Sequence, residues 1–302
     1  LGRSVAGRTG RNPPVGCVLV RDGIVVGEGA TAAVGGPHAE VAALAAAGTR
    51  ARGATAVVTL EPCAHTGRTG PCTAALSAAG VAAVRFLVAD PNPVAAGGAA
   101  ALADAGLDVL DLGPVLPEAA ARARHDLRGF LSVVAHGRPH VVLKLAQDVD
   151  GRTVPPPGGY LTGDLARRRV HALRADVDAV LVGGATVRSD DPRLDVRHVS
   201  SPRQPRPVVL TGTGDLPADA RVLARAPLVV VGPAVPDARR AELVRAGAEV
   251  RVVEGSEVGP DPVAALAAVA GAGLTTVLAE PGPRLAALLL AAAALTPAFV
   301  RL

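Results

Sequence analysis

The 302-residue chain contains no methionine and no tryptophan, one tyrosine and three phenylalanines. Four aromatics are too few to stack a run of bases. The formal charge is +4, but the basic residues are scattered, so a nucleic-acid-binding role is not expected. Cysteine is scarce and odd in number: Cys63 and Cys72 lie close together, and Cys17 stands alone in an apolar strand pattern as a small core residue. With no recognisable secretory leader, that count speaks against a disulfide framework and for a reducing compartment, the cytoplasm. No stretch reaches the roughly 18 to 20 apolar residues that a bilayer crossing needs. The longest run, Leu285 to Leu295, reads as a buried helix, and neither an anchor nor a targeting signal is expected. Asparagine occurs only at positions 12 and 92, and lysine only at position 144. The chain opens on Leu1 rather than Met and stops just after an apolar strand has begun, so both ends are expected to be cut.

What is abundant is apolar: 49% of residues, enough to bury a full core, and the length favours two domains over one. Strands are expected at residues 16–20 and 24–27, joined by a hairpin turn at Asp22-Gly23. They are followed by helix 39–47, strand 55–60, helix 72–79, strand 84–89, helix 99–105, strand 108–110 and helix 117–130. Gly137-Arg138-Pro139 reads as a hinge. A second alternating unit then begins with strand 140–145 and continues with strands 179–182, 207–210, 228–231, 249–253 and 276–279. Strands alternating with helices predict a mostly parallel sheet, and the whole chain reads as α/β.

Chemistry concentrates between Pro37 and Cys72. His38 and Glu40 stand two apart on the first turn of a helix, Cys63 follows a strand, and Cys72 opens the next helix after Pro71. One imidazole and two thiolates are three zinc ligands that leave a fourth position open, the catalytic rather than the structural arrangement. Glu40 is then the acid placed to move protons. Zinc deaminases carry a His-x-Glu pair followed by Pro-Cys-x-x-Cys. Here Pro37-His38-Ala39-Glu40 and Pro62-Cys63 fit, whereas eight residues separate the cysteines and set His65 and Arg68 in the loop between them. A structural zinc is the plainer alternative.

Taken together, Asn12-Pro-Pro-Val-Gly-Cys-Val, Pro37-His-Ala-Glu, Thr59-Leu-Glu-Pro-Cys, His65-x-Gly-Arg-Thr-x-Pro-Cys72 and Asp90-Pro-Asn-Pro resemble the bifunctional riboflavin-biosynthesis deaminase/reductase family. The resemblance covers essentially all of the chain. It implies a cytidine-deaminase-like three-layer domain over residues 1–138 and a dihydrofolate-reductase-like domain over 139–302, the latter incomplete at its end. It implies zinc on His38, Cys63 and Cys72, with Glu40 as the catalytic proton carrier. The first domain would deaminate a small-molecule phosphoribosylaminopyrimidine, and the second would reduce its ribosyl group with NADPH. Asn12 is then a candidate for the pyrimidine's polar edge, while Asn92 reads as a turn former. His65 stacks on the ring or merely caps the loop, and Arg68 pairs with the 5-phosphate or stays solvated.

Lys144 sits in the strand that opens the second half. A lysine kept where every other basic position became Arg points to a compact catalytic donor beside a sugar hydroxyl, or to a strand end reaching for solvent. The resemblance further implies substrate contacts at Arg174, Leu194, Arg197 and Glu280, with the two arginines on the phosphate. It implies cofactor contacts at Ala146, Tyr160, Thr186, Asp190 and Gly282. Departures from the family pattern fall at Asp148, Tyr160, Gly163, Thr211, Gly212 and Pro281. Two other functions stay open: a deaminase whose reductase domain has degenerated, as in a secondary-metabolism paralogue, and a zinc-stapled nucleic-acid-binding protein. A homo-oligomer is admissible, and no membrane partner is expected.

Overall fold

The computed structural model describes residues 1–66, 70–148, 150 and 161–292. It forms two compact units, Leu1–His136 and Gly137–Leu302, each described by itself.

In the first unit, β1 (Gly16–Arg21) and β2 (Ile24–Ala30) form the expected hairpin. Asp22 and Gly23 both take positive φ, 51° and 77°, the twist that a two-residue hairpin turn demands. β3 (Thr55–Val58) runs antiparallel to β1, and β4 (Ala83–Phe86) and β5 (Asp108–Asp111) follow in parallel, giving the order β2-β1-β3-β4-β5. The helices are α1 (Ala39–Ala47), α2 (Cys72–Ala78), α3 (Gly98–Asp104), α4 (Pro117–Asp126) and α5 (Arg128–His136). Cys17, Leu19, Val58, Leu76, Leu102 and Leu127 lie in one core with the alanines of α1. The single helix expected over 117–130 is two helices broken at Leu127. Buried Ala120, Ala123, Leu127 and Phe130 keep helical spacing across the break, so periodicity could not reveal it. Gly137, at φ 67°, ends α5 in the left-handed conformation that a helix C-terminus favours.

Small residues let α1 lie almost on the backbone of β2. A Cβ at Gly29 would fall 2.2 Å from the carbonyl oxygen of Ala39, and one at Gly27 would fall 2.4 Å from that of Ala43. These approaches set where the N-terminus of α1, and with it His38 and Glu40, stands relative to β1.

The second unit is a six-stranded, wholly parallel sheet in the order β10-β9-β8-β7-β13-β6. Its strands are β6 (His140–Leu143), β7 (Ala179–Gly183), β8 (Arg206–Thr211), β9 (Leu228–Val231), β10 (Glu249–Val252) and β13 (Thr276–Ala279). The two-residue strands β11 (Gly255–Ser256) and β12 (Gly259–Pro260) form a separate ribbon. The helices are α6 (Asp164–Ala175), α7 (Gly184–Asp190), α8 (Asp237–Arg245), α9 (Pro262–Gly271) and α10 (Pro283–Ala291). β7 is buried at four of five positions and β9 at all four, as interior strands of a parallel sheet must be. Two apolar clusters form its core. β6 is shorter than expected, so Lys144 lies just beyond it, its amide still donating to the Ala279 carbonyl (2.9 Å).

The chain passes from β6 to β7 leaving a gap, travels out to β10, and returns to fill the gap with β13. In open α/β sheets that reversal marks the crevice where ligands bind, at the carboxyl ends of the strands. Asp178, just before β7, pins the returning strand: its Oδ2 accepts from the Thr275 amide (2.9 Å), the Thr275 hydroxyl (2.9 Å) and the Thr276 amide (2.8 Å). Among the described residues, no helix is long and apolar enough to cross a membrane.

Gly29→Val is expected to force α1 off the sheet, at a cost of about 1–3 kcal/mol. A lowered urea midpoint of the first unit, with weaker retention of zinc, is the outcome to measure.

Candidate functional site

Three elements converge in the first unit. His38 caps α1 in an extended conformation (φ −71°, ψ 162°), Cys63 follows β3 by five residues, and Cys72 is the first residue of α2. His38 Nδ1 lies 3.6 Å from Cys63 Sγ and 3.3 Å from Cys72 Sγ, and the three donor atoms all fall within 4.8 Å of one another. Zinc bonds of about 2.0–2.3 Å at tetrahedral angles put such donors roughly 3.5–3.8 Å apart. The donor set therefore fits zinc in both chemistry and spacing, with Nδ1 as the imidazole ligand. The Cys72 amide points at Cys63 Sγ (3.5 Å), a contact that supports a thiolate. The Cys63 thiol is pushed down to about 4, first by the hydrogen bond from Cys72 and then, against burial, by the His38 ring. The Cys72 thiol moves the other way, because Cys63 takes the thiolate role and because it is buried.

Glu40 is buried, and desolvation raises its carboxyl to about 6. Glu61 is the second buried acid, and sequence reasoning gave it no role. Its Oε2 accepts from the Asp90 amide (3.1 Å) and its Oε1 from the Ala99 amide at the start of α3 (2.8 Å). It thereby ties the loop after β4 and the α3 N-terminus to the residue two before Cys63. Its only signal in the sequence was its place inside Thr59-Leu-Glu-Pro-Cys. Asn92 is the turn former expected: its Oδ1 accepts from the Val94 amide (3.2 Å) and its own amide donates to Asp90 Oδ1 (2.9 Å). Asn12 closes a turn on Thr9 (amide to carbonyl, 3.1 Å) before β1. His65 is half-buried, and its Nδ1, buried, has no hydrogen-bond partner among the described residues. Arg68 lies outside the described residues.

In the second unit, Lys144 beyond β6 and Glu280 beyond β13 meet at the crevice, Nζ to Oε2 3.8 Å. Arg174, in the last turn of α6, grips the same carboxylate with Nε to Oε1 at 2.7 Å and Nη2 to Oε2 at 3.1 Å, and its Nη1 donates to the Asp195 carbonyl (3.0 Å). Arg197 pairs with the Asp195 carboxylate, and its amide donates to His171 Nδ1 (3.1 Å). His171, on α6 three residues before Arg174 and so on the same face, was missed, although that spacing was legible. It is buried, and desolvation, then Arg174 and Arg197, push it down to about 4. His198 packs edge-on against it at 4.5 Å between ring centres. Leu194, fully buried, holds φ at 53°, and Asp191 holds φ at 38°. Both are strained for residues with a Cβ, so the segment carrying Arg197 is held in one shape.

Thr186 and Asp190 stand one turn apart on α7. A Cβ on Gly282, the cap of α10, would lie 3.6 Å from Thr186 Oγ1, in ordinary contact, so these two candidate cofactor residues are neighbours. Asp190 lines a cavity of about 350 Å³ with Asp191, Pro192, Arg193, Arg197 and Arg221. Ala146 is half-buried three residues past β6, and Tyr160 lies outside the described residues. The departures at 211 and 212 are built in: Thr211 Oγ1 accepts from the Gly214 amide (3.1 Å), and a Cβ at Gly212 would strike the Val258 carbonyl oxygen at 2.1 Å. Gly163 caps α6, Asp148 accepts from the Asp150 amide (3.0 Å), and Pro281 is buried beside Gly282.

Residues 139–295 match the family model described as the RibD C-terminal domain. The chain belongs to the RibD family. Residues 3–88 match a second model, the cytidine and deoxycytidylate deaminase zinc-binding region. Among RibD relatives, the riboflavin biosynthesis protein of Corynebacterium ammoniagenes is 49% identical over 215 residues, covering 69% of this chain and 62% of that protein. The one from Aquifex aeolicus is 42% identical over 236 residues, covering 76% and 65%. The chain thus spans under two thirds of the length of these curated relatives. Among solved RibD structures, form 2 from Acinetobacter baumannii superposes with a TM-score of 0.82 at 36% identity, covering 100% of this chain and 85% of that one. A deaminase/reductase from Thermotoga maritima gives 0.78 at 31% identity, covering 97% and 81%. The α/β fold class, a deaminase-like unit followed by a RibD reductase unit, is as expected.

His171 carries a pH prediction for this RibD unit. Its folded pKa, about 4, lies below the ordinary 6.5, so between those values the unfolded chain holds more protons and stability falls as pH falls. Urea melts at pH 7 and pH 5 are expected to show the second unit losing stability at the lower pH, with a smaller loss in His171→Gln.

Proposed function

We propose that the chain is a bifunctional enzyme of riboflavin synthesis. It would deaminate 2,5-diamino-6-(5-phosphoribosylamino)pyrimidin-4-one in the first unit and reduce the ribosyl group of the product to a ribityl group with NADPH in the second. The observation that carries the first half is the convergence of His38, Cys63 and Cys72 beside a buried carboxyl held near neutrality. The substrate class comes from the Thermotoga maritima relative, a diaminohydroxyphosphoribosylaminopyrimidine deaminase and 5-amino-6-(5-phosphoribosylamino)uracil reductase.

His38, Cys63 and Cys72 would hold zinc. The chemistry the metal supplies there is Lewis acidity, which lowers the pKa of water towards neutral. Glu40 carries the protons. As carboxylate it takes one from the attacking water while the new C–O bond forms. As acid it delivers that proton to the exocyclic nitrogen, so that the C–N bond breaks and ammonia leaves. A carboxyl at about 6 is poised to do both near neutral pH. Asn12, His65 and Arg68 are the proposed substrate contacts, for the ring edge, the ring face and the phosphate.

In the second unit, Thr186, Asp190 and Gly282, with Ala146 and Tyr160, are the proposed holders of NADPH, which when bound supplies the reducing electron pair. Lys144 would donate a proton to the sugar oxygen as the ring opens, with Glu280 as a substrate contact beside it, and Arg174 and Arg197 would meet the 5-phosphate beside Leu194. The intact contact between Lys144 and Glu280 favours a working reductase over a degenerate one. The zinc-stapled nucleic-acid-binding alternative is not favoured, since both halves match enzyme families. Such chemistry belongs in the reducing cytoplasm, and a homo-oligomer, compatible with it, is decided by light scattering of the purified chain.

Glu40→Gln is expected to keep stoichiometric zinc and to lose ammonia release by about 10²–10⁴-fold. Full turnover in that variant would sink the mechanism. NADPH oxidation that depends on the deaminated product is expected of the wild type, and its absence would favour the degenerate alternative.

A further inference from the structure

Residues 191–197, between α7 and β8, belong to no helix or strand, yet three consecutive backbone positions among them are held by side chains. Arg174 Nη1 donates to the Asp195 carbonyl (3.0 Å). The side-chain amide of Gln204 meets both backbone groups of Val196. Its Oε1 accepts from the Val196 amide (2.7 Å) and its Nε2 donates to the Val196 carbonyl (3.1 Å), the two-point pairing that a neighbouring strand would otherwise supply. The Arg197 amide donates to His171 Nδ1 (3.1 Å). Leu194, fully buried in one of the unit's two apolar clusters, enters this stretch at φ 53°, a conformation that persists only when its surroundings impose it.

We infer that His171 and Gln204 are positioning residues for phosphate binding in the second unit, holding the Asp195–Arg197 backbone in the one conformation that sets the Arg197 guanidinium at the substrate's 5-phosphate. This rests on the reading of Arg197 as a phosphate contact. A backbone amide can only donate, so His171 must offer Nδ1 as an acceptor and carry its proton on Nε2. The ring is therefore neutral, and its surroundings keep it so: burial, then Arg174 and Arg197, hold its pKa down to about 4. A carboxylate in its place would accept as well, but it would also draw the arginine side chains that a phosphate needs. The neutral ring takes the amide and leaves those charges alone.

His171 and Arg174 stand three residues apart on α6 and so share a face. One helix thus carries the first phosphate arginine and fixes the backbone of the second. The spacing between the two is set by the fold before the ligand arrives. Arg197 needs that hold more than Arg174 does. Arg174 is 11% exposed and braced by Glu280, whereas the Arg197 side chain is 41% exposed, pairs with Asp195 and lines the cavity of about 350 Å³. An exposed arginine on an unheld loop would lose backbone freedom on meeting a ligand, and a backbone fixed beforehand removes that part of the cost.

Steady-state NADPH oxidation by the full chain tests the assignment, with the deaminated substrate and with its analogue lacking the 5-phosphate. His171→Leu is expected to raise KM for the phosphorylated substrate about tenfold with kcat kept, the pattern of a contact made equally in ground and transition states. With the dephosphorylated analogue it is expected to match the wild type, a selectivity that a general loosening of the unit would not show. His171→Asn, whose Oδ1 can take the place of Nδ1, is expected to stay within about twofold of wild type. Arg197→Ala is expected to raise KM about tenfold or more, and His171→Leu to add less than about twofold in that background, since both act on one contact. Calorimetry with ribose 5-phosphate is expected to rank the variants in the same order without turnover.

Wild-type KM in Arg197→Ala would defeat the phosphate reading of Arg197, and the proposal with it. An impaired Arg197→Ala beside wild-type KM in His171→Leu would overturn the proposal alone. So would a KM increase that persists with the dephosphorylated analogue, additive losses in the double variant, or His171→Asn no better than His171→Leu. Should His171→Leu fail to fold, Gln204→Met removes both bonds to Val196 from an exposed position. It is expected to show the same phosphate-dependent rise in KM, and wild-type KM there would overturn the proposal too. A wild type that oxidises no NADPH would defeat the reductase reading, and the calorimetric comparison would still decide whether His171 and Gln204 set Arg197.

Discussion

A carboxylate taken out of water must be given donors or must give up its charge, and both units are organised by that requirement. Glu61, Asp178 and Glu280 are each nearly or fully buried, and each is answered by two or more N–H or O–H groups. Glu61 ties two loops to the segment that carries Cys63. Asp178 locks β13 against β7, and Glu280 joins Arg174 to Lys144. Glu40 is the exception. Desolvation outweighs what holds it ionised, so its carboxyl stays near 6 and is free to exchange a proton.

The two sites are built differently. In the first unit the donors come from helix starts and a loop, where backbone amides point outward and favour anions, and the Cys72 amide aimed at Cys63 Sγ is one such contact. The site depends on how closely α1 can lie on β2, which is a matter of Gly27 and Gly29. In the second unit the groups stand at the carboxyl ends of β6 and β13, brought side by side because β13 returns to fill a gap in the sheet. Arg174 and Glu280 are 106 positions apart along the chain, and only that crossover makes them partners.

The departures from the family pattern read differently once placed. Thr211 and Gly212 serve the local packing, the hydroxyl closing a turn and the missing Cβ making room for the Val258 carbonyl. Both stand at the carboxyl end of β8, an interior strand of the sheet. Pro281 does remove a backbone donor beside Gly282.

The sequence by itself determined the α/β class, the hairpin at Asp22-Gly23, the parallel second sheet and the cluster of His38, Cys63 and Cys72. These rest on local signals: turn dihedrals, alternating element types, and donor residues few enough to stand out. The break at Leu127 stayed hidden because the buried spacing runs through it. Glu61, His171 and Asp178 were missed because an acid or a histidine shows its role only when its partners, 26 to 98 positions away, are seen. That Arg174 forks onto Glu280 was decided only by the tertiary structure, because which groups a buried guanidinium meets depends on what the fold sets against it.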